Sequence, residues 1–183
     1  NGFSSLSRSV NSASLTVNTI AYGGDNGEFS GSFPGGTGEA HSSAVNNAGA
    51  ANAIASATGG YGSDGIHGSS GGIGGNATAS ATATGIGTTD ASATASGGVS
   101  YFGASRYGTG QSQATAYSTE GPATAKAIAS GSSAVANAYS TEGSVNTIHA
   151  SAAAVVDGNN TSPSTAQAQA TTSGPITPTS QGG

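Results

Sequence analysis

The sequence predicts an all-β protein of short, Ala-rich, repetitive strands, built as a β-solenoid or as a stacked, β-sandwich-like fibre subunit. Three observations carry this. Alanine takes every second position in run after run, glycines punctuate the runs, and the hexapeptide AYSTEG occurs at 116–121 and again at 138–143. Strict alternation is the period of a strand, whose successive side chains point to opposite faces. Around a helix the same pattern scatters and makes no stripe. Alanine's own propensity favours a helix, but the Ser, Thr, Gly and Asn between the alanines are poorer helix formers. The spacing of the two AYSTEG copies suits one repeat of two short strands and two turns.

Residues 1–38 form an N-terminal strand and a Gly-rich loop. Leu6, Val10, Leu15, Val17 and Ile20 are large apolar residues, scarce elsewhere in the chain. Leu15 and Val17 alternate with Thr16 and Asn18, which is a strand signal. Residues 23–38 read as a loop, with turn chemistry at Asp25-Asn26-Gly27 and Pro34-Gly35-Gly36. Phe29 and Phe33 are candidates to anchor it to a neighbour.

Residues 39–172 form the repetitive β domain. Its alanine pattern starts within 39–58, where Ala53, Ala55 and Ala57 precede Gly59-Gly60. After a glycine-rich stretch at 59–75, Ala77, Ala79, Ala81 and Ala83 precede Gly85, and Ala91, Ala93 and Ala95 precede Gly97-Gly98. Tyr101, Phe102 and Tyr107 make the densest aromatic cluster, either a wide turn packed on the core or a contact between subunits. Residues 121–156 are the most regular, with Ala123 to Ala129, Ala134 to Ala138 and Ala150 to Ala154 in alternation. One face there carries only methyl groups. The other carries Thr124, Lys126, Ile128, Ser130, Val135, Asn137 and Tyr139. Ala166, Ala168 and Ala170 repeat the device. Pro175 and Pro178 mark residues 173–183 as an extended tail.

Composition narrows the function. Charged residues are 6% of the chain, against about 25% in an ordinary soluble domain. Neutral polar strands repel one another weakly, so association is expected. Lys and Arg total 3, which leaves no basic patch and excludes nucleic acid as a partner. Without cysteine there is no disulfide, thiolate metal site or thiol nucleophile. No apolar run approaches the roughly 20 residues of a membrane-spanning helix, so no membrane insertion is expected. The chain lacks methionine and starts at Asn1. It therefore reads as a processed product, and removal of an N-terminal secretion signal places it outside the cell or at its surface. Burying a methyl yields about 0.8 kcal/mol, while fixing a residue costs roughly 1–2 kcal/mol. A methyl-lined core makes an isolated copy marginal, and stacking that covers strand edges favours a polymer of identical subunits.

The candidate sites are few. Gly59 to His67, GGYGSDGIH, is similar to the calcium-binding nonapeptide GGxGxDxUx of RTX repeats. That resemblance implies Asp64 as a calcium ligand; the alternative is a glycine-rich turn. His41, His67 and His149 stand apart without ligand spacing, nothing resembles a nucleophile elbow, and no catalytic residue or organic cofactor is implied. For self-association the candidates are Leu15, Val17, Ile20 and Tyr22. The segment from Ser12 to Tyr22 either adds a strand to a neighbour's sheet or packs within its own subunit. Tyr101, Phe102 and Tyr107 are candidates for a surface glycan. Thr78, Thr82 and Thr84, interrupted by Ser80, approach the Thr ranks of an ice-binding solenoid.

The block GGIGGNATASATATG and its later echoes resemble the Gly- and Ala-rich repeats of secreted bacterial surface proteins, among them repeat adhesins and matrix-fibre subunits. The resemblance covers about residues 44–172. It implies export and a structural or adhesive role. The expected function is therefore that of a non-enzymatic structural subunit of an extracellular β-rich filament, such as a biofilm matrix fibre.

Overall fold

The computed structural model describes residues 1–26, 32–63, 71–100, 107–131, 134–142, 148–156 and 164–172. Among these residues eleven strands follow one another: β1 (Gly2–Val10), β2 (Ser14–Tyr22), β3 (Gly38–Asn46), β4 (Ala50–Thr58), β5 (Ala77–Gly85), β6 (Thr89–Ser96), β7 (Gly110–Ser118), β8 (Ala123–Gly131), β9 (Ala134–Glu142), β10 (Ile148–Val156) and β11 (Ser164–Thr172). Odd strands form a six-stranded sheet in the order β1-β3-β5-β7-β9-β11. Even strands form a five-stranded sheet in the order β10-β8-β6-β4-β2. Among the described residues every strand pair is parallel. The chain is thus a two-sheet parallel β-solenoid, each coil adding one strand to each sheet. The solenoid runs through β1 and β2, so the sheets continue across the boundary expected at residue 38.

Alanine alternation makes the core. In the even sheet, register aligns Val17, Ala53, Ala91, Ala125 and Ala150 in one column across five strands. All five are buried. In the odd sheet Ala40, Ala79 and Ser112 form a matching column. The outward residues of β8 are Thr124, Lys126, Ile128 and Ser130, as the alternation predicts. An in-register column of methyls holds the interior because each strand repeats its neighbour's spacing; one residue of slip would send every alanine outward.

The AYSTEG copies do not mark the coil repeat. Register sets Ala114 against Ala138, and Ala116 of the first copy falls opposite Ser140. The first copy leaves β7 into a turn, whereas Ala138 to Glu142 of the second lie within β9. Coils differ in length because their connections differ, so sequence spacing and structural spacing part.

The two edges of the solenoid are built differently. At one, β2–β3, β4–β5 and β6–β7 are joined by residues 23–37, 59–76 and 97–109. Glycines leaving the even strands interleave with glycines entering the odd ones. Gly36 N donates to Gly24 O, Gly60 N to Gly36 O, Gly75 N to Gly60 O, Gly98 N to Gly75 O and Gly108 N to Gly98 O, all at 2.8–2.9 Å. The result is a single column of backbones in which the two sheets merge. A Cβ on Gly60, Gly75, Gly98 or Gly108 would sit closer than 3.0 Å to a backbone carbonyl of this column. Only the absent side chain permits that approach. The β8–β9 link differs: Gly131, at φ 148°, leads into it across residues 132–133.

At the opposite edge the turns are short. Asn46, buried at the end of β3, donates from Nδ2 to Ala50 O at 2.7 Å and accepts at Oδ1 from Ser12 N at 3.1 Å and Ala48 N at 3.3 Å. Ser118 Oγ donates to Gly87 O at 2.7 Å and accepts from Gly121 N at 2.9 Å. Each side chain ties its own turn to the turn of the coil beneath.

Candidate assembly ends and outer faces

Among the described residues, β1 and β2 pair on one side only, as do β11 and β10 at the far end. Each end therefore presents a row of backbone N–H and C=O groups along its strands. The first coil departs from the alanine rule. Leu6 and Arg8 hold the inward register positions opposite Ser42 and Ala44, yet Leu6 is 37% exposed and Arg8 is exposed, because no coil lies beyond them. Across from them Val17 is buried and Leu15 partly buried. The other end is methyl-lined: Ala150, Ala152 and Ala154 are buried, and Ala166, Ala168 and Ala170 are half-buried.

The four residues expected to mediate self-association divide between two faces. Leu15 and Val17 face the core of their own subunit, where Ser42 Oγ donates to Val17 O at 2.8 Å. Ile20 and Tyr22 lie on the outer face, 50% and 68% exposed. Within this chain β2 pairs in parallel with β4. Two inward hydroxyls, Thr19 Oγ1 and Ser112 Oγ, are buried without a hydrogen-bond partner. Both stand where an alanine would continue the pattern.

The outer faces are polar ladders. On the odd sheet, one column reads Phe3, Glu39, Thr78, Gln111 and Val135, and the next reads Ser5, His41, Ser80 and Gln113. Glu39 Oε1 bonds His41 Nε2 at 2.7 Å, and the Phe3 ring lies 5.9 Å from that of His41. The hydroxyl row Thr78, Ser80, Thr82 and Thr84 continues onto both neighbouring strands only at Thr82, opposite Ser43 and Thr115. Its other members are flanked by Glu39, His41 and Val45 on β3 and by Gln111, Gln113 and Tyr117 on β7. On the even sheet Ser130 Oγ donates to Ser96 Oγ at 3.2 Å.

Asp64, Tyr101 and Phe102 lie outside the described residues, and Tyr107 is half-buried. Among the described residues no three of His, Cys, Asp and Glu gather to hold a metal. Gly59-Gly60, read from sequence as turn or calcium-loop glycines, and Gly74-Gly75 of the same glycine-rich stretch belong to the backbone column. The signal for that column was present as glycine pairs bordering successive strand runs. Pairing across two sheets is what the linear sequence withholds. Among the described residues no helix is long and apolar enough to cross a membrane. Compared with known proteins, the chain matches no family model, no curated protein and no solved structure.

Proposed function

We propose that the chain is a structural subunit of an extracellular β-rich filament that grows by head-to-tail stacking of solenoids. The observation that supports it is the pair of unlike ends. One carries Leu6 and Leu15 over an open edge, and the other carries the half-buried row Ala166, Ala168 and Ala170. Bulky side chains at one end and a methyl floor at the other make a heterologous contact. Such a contact repeats without closing and yields open fibres. Both ends also offer parallel strand edges for the same kind of pairing that joins every coil within the subunit. The low charge, 6% of residues, leaves little repulsion to oppose stacking.

Electron microscopy and fibre diffraction test this, with filaments expected to give a repeat of about 4.8 Å along their axis. Leu6→Asp blocks one end and Ala168→Arg the other. Each variant alone is expected to stay monomeric. Their equimolar mixture is expected to stop at dimers, because each retains the end the other lacks. Monomers of the unmodified chain under all assembly conditions, or normal filaments from both variants, overturn the proposal.

A further inference from the structure

A depression of about 300 Å³ lies on the outer face of the odd sheet. Thr78 and Ser80 on β5 and Gln111 and Gln113 on β7 form its centre, with His41 on β3 and Val135 on β9 at its two ends. Its origin is a difference in side-chain height. The short hydroxyl side chains of β5 lie between the imidazole of β3 and the longer carboxamides of β7. The trough runs across the strands, along the solenoid axis. From β3 to β9 it spans three strand spacings, about 14 Å at roughly 4.8 Å each.

We propose that this trough binds a linear neutral glycan laid along the solenoid axis. The lining contains no carboxylate, lysine or arginine. Glu39 stands in the Thr78–Gln111 column, between Phe3 and Thr78, but outside the lining, and it is bonded to His41. Lys126 is on the opposite sheet. Nothing in the trough selects an anion, and the chain's net charge of −5 opposes one. What the lining offers is paired donors and acceptors. Each glutamine carboxamide presents two N–H donors and one carbonyl acceptor, and each hydroxyl both donates and accepts. A carboxamide can therefore accept from one sugar hydroxyl and donate to its neighbour. Gln111 and Gln113 stand two residues apart on one strand and share a face.

The apolar component is at one end. Phe3, 68% exposed, leads into the trough along the same column and packs near His41 with rings 50° apart. Sugar rings carry an apolar C–H face that an aromatic ring receives, while their hydroxyls turn to the amides. A polymer running along the axis meets the same two columns at each strand, so contacts accumulate with chain length. This site differs from the aromatic cluster at Tyr101 and Phe102, and it leaves both solenoid ends open.

Calorimetric titration with maltohexaose, cellohexaose and N-acetylchitohexaose tests the inference, using the full chain and Gln111→Ala/Gln113→Ala. Both glutamines are exposed, so circular dichroism is expected to remain unchanged. At least one hexasaccharide is expected to bind, more tightly than its disaccharide, and the double variant to weaken it at least tenfold. Lys126→Ala, on the opposite face, is expected to stay within twofold of the unmodified chain. The inference is overturned if none of the three sugars binds at millimolar concentration. It is also overturned if the glutamine variant binds normally, or if the Lys126 variant loses as much. Filament growth by the glutamine variant is expected to be normal, so failure here is separable from failure of head-to-tail stacking.

Discussion

Between β2 and β3, β4 and β5, and β6 and β7 the chain passes the solenoid's edge through glycines whose backbones touch; between β3 and β4, and again between β7 and β8, it turns within a few residues under a buried side chain. Both edges must pair the polar backbone groups that leave the sheets. The glycine edge does so mainly with backbone: the Gly36, Gly60, Gly75, Gly98 and Gly108 amides each donate to a carbonyl of another segment, while Asp25, Ser63 and Asn76 side chains accept from the flanking Tyr61, Phe33 and Thr109 amides. The short-turn edge recruits Asn46 and Ser118, whose side chains bond turns of adjacent coils. Sequence tolerance therefore lies in different places at the two edges. A backbone column tolerates no side chain at its contact points. A capped turn depends on one particular side chain and leaves its neighbours free.

The largest effect is therefore expected at the column. Gly60→Ala directs a Cβ at the Gly24 carbonyl, and Gly75→Ala directs one at the Gly36 carbonyl; in both the obstructing atoms are backbone. Neither segment can yield without breaking its own hydrogen bonds. Each substitution is expected to cost more than about 4 kcal/mol, the range reached by overpacking where nothing can move. Urea denaturation followed by circular dichroism measures it. A cost below about 1 kcal/mol at both positions would remove the claimed constraint.

Asn46→Ala is expected to act at the other edge with an intermediate effect. It leaves the Ser12 and Ala48 amides and the Ala50 carbonyl without their partner, in a place where Asn46 itself is 1% exposed. The loss expected is about 1–3 kcal/mol, the penalty of removing three hydrogen bonds from partly buried backbone groups. Hydrogen exchange at the Ser12 and Ala48 amides should accelerate before that of the β4 amides. Equal acceleration throughout the even sheet would mean that Asn46 supports the whole fold and not its turn.

These edges also mark how far the sequence could be read. The alanines at 123–129 announced a strand and its inward face, and β8 has both. Alternation is the same for parallel and antiparallel strands, so it could not sort odd strands from even ones. Strand β1, GFSSLSRSV, carries no alanine and showed no pattern to assign, although Leu6 and Arg8 occupy inward positions. The tandem AYSTEG suggested a coil length that the register does not follow, because turns of unequal length reset the count. The glycine pairs were visible as punctuation. Their interleaving is a contact between segments far apart in the chain, and the trough between Thr78 and Gln113 depends on strands that only the register brings together.

The smallest effect is expected at two glycines that look like the others in sequence. Gly24 belongs to the column through its carbonyl, which accepts from Gly36 N at 2.8 Å, but a Cβ there meets nothing within 4 Å. Gly87 lies in the short turn between β5 and β6, where a Cβ would meet Ala50 and Gly49 backbone at 3.5 Å, an ordinary van der Waals distance. Neither has the left-handed φ that Gly131 adopts. An alanine at either site keeps the native backbone and narrows the unfolded ensemble, which is worth about 0.4–1 kcal/mol in favour of the fold. Gly24→Ala and Gly87→Ala are thus expected to raise the urea midpoint slightly, while Gly60→Ala collapses it. Destabilisation by Gly24→Ala comparable to that of Gly60→Ala would show that glycine is required along the whole column for its flexibility. The contact geometry at Gly60 and Gly75 would then no longer be the reason the edge is built of glycine.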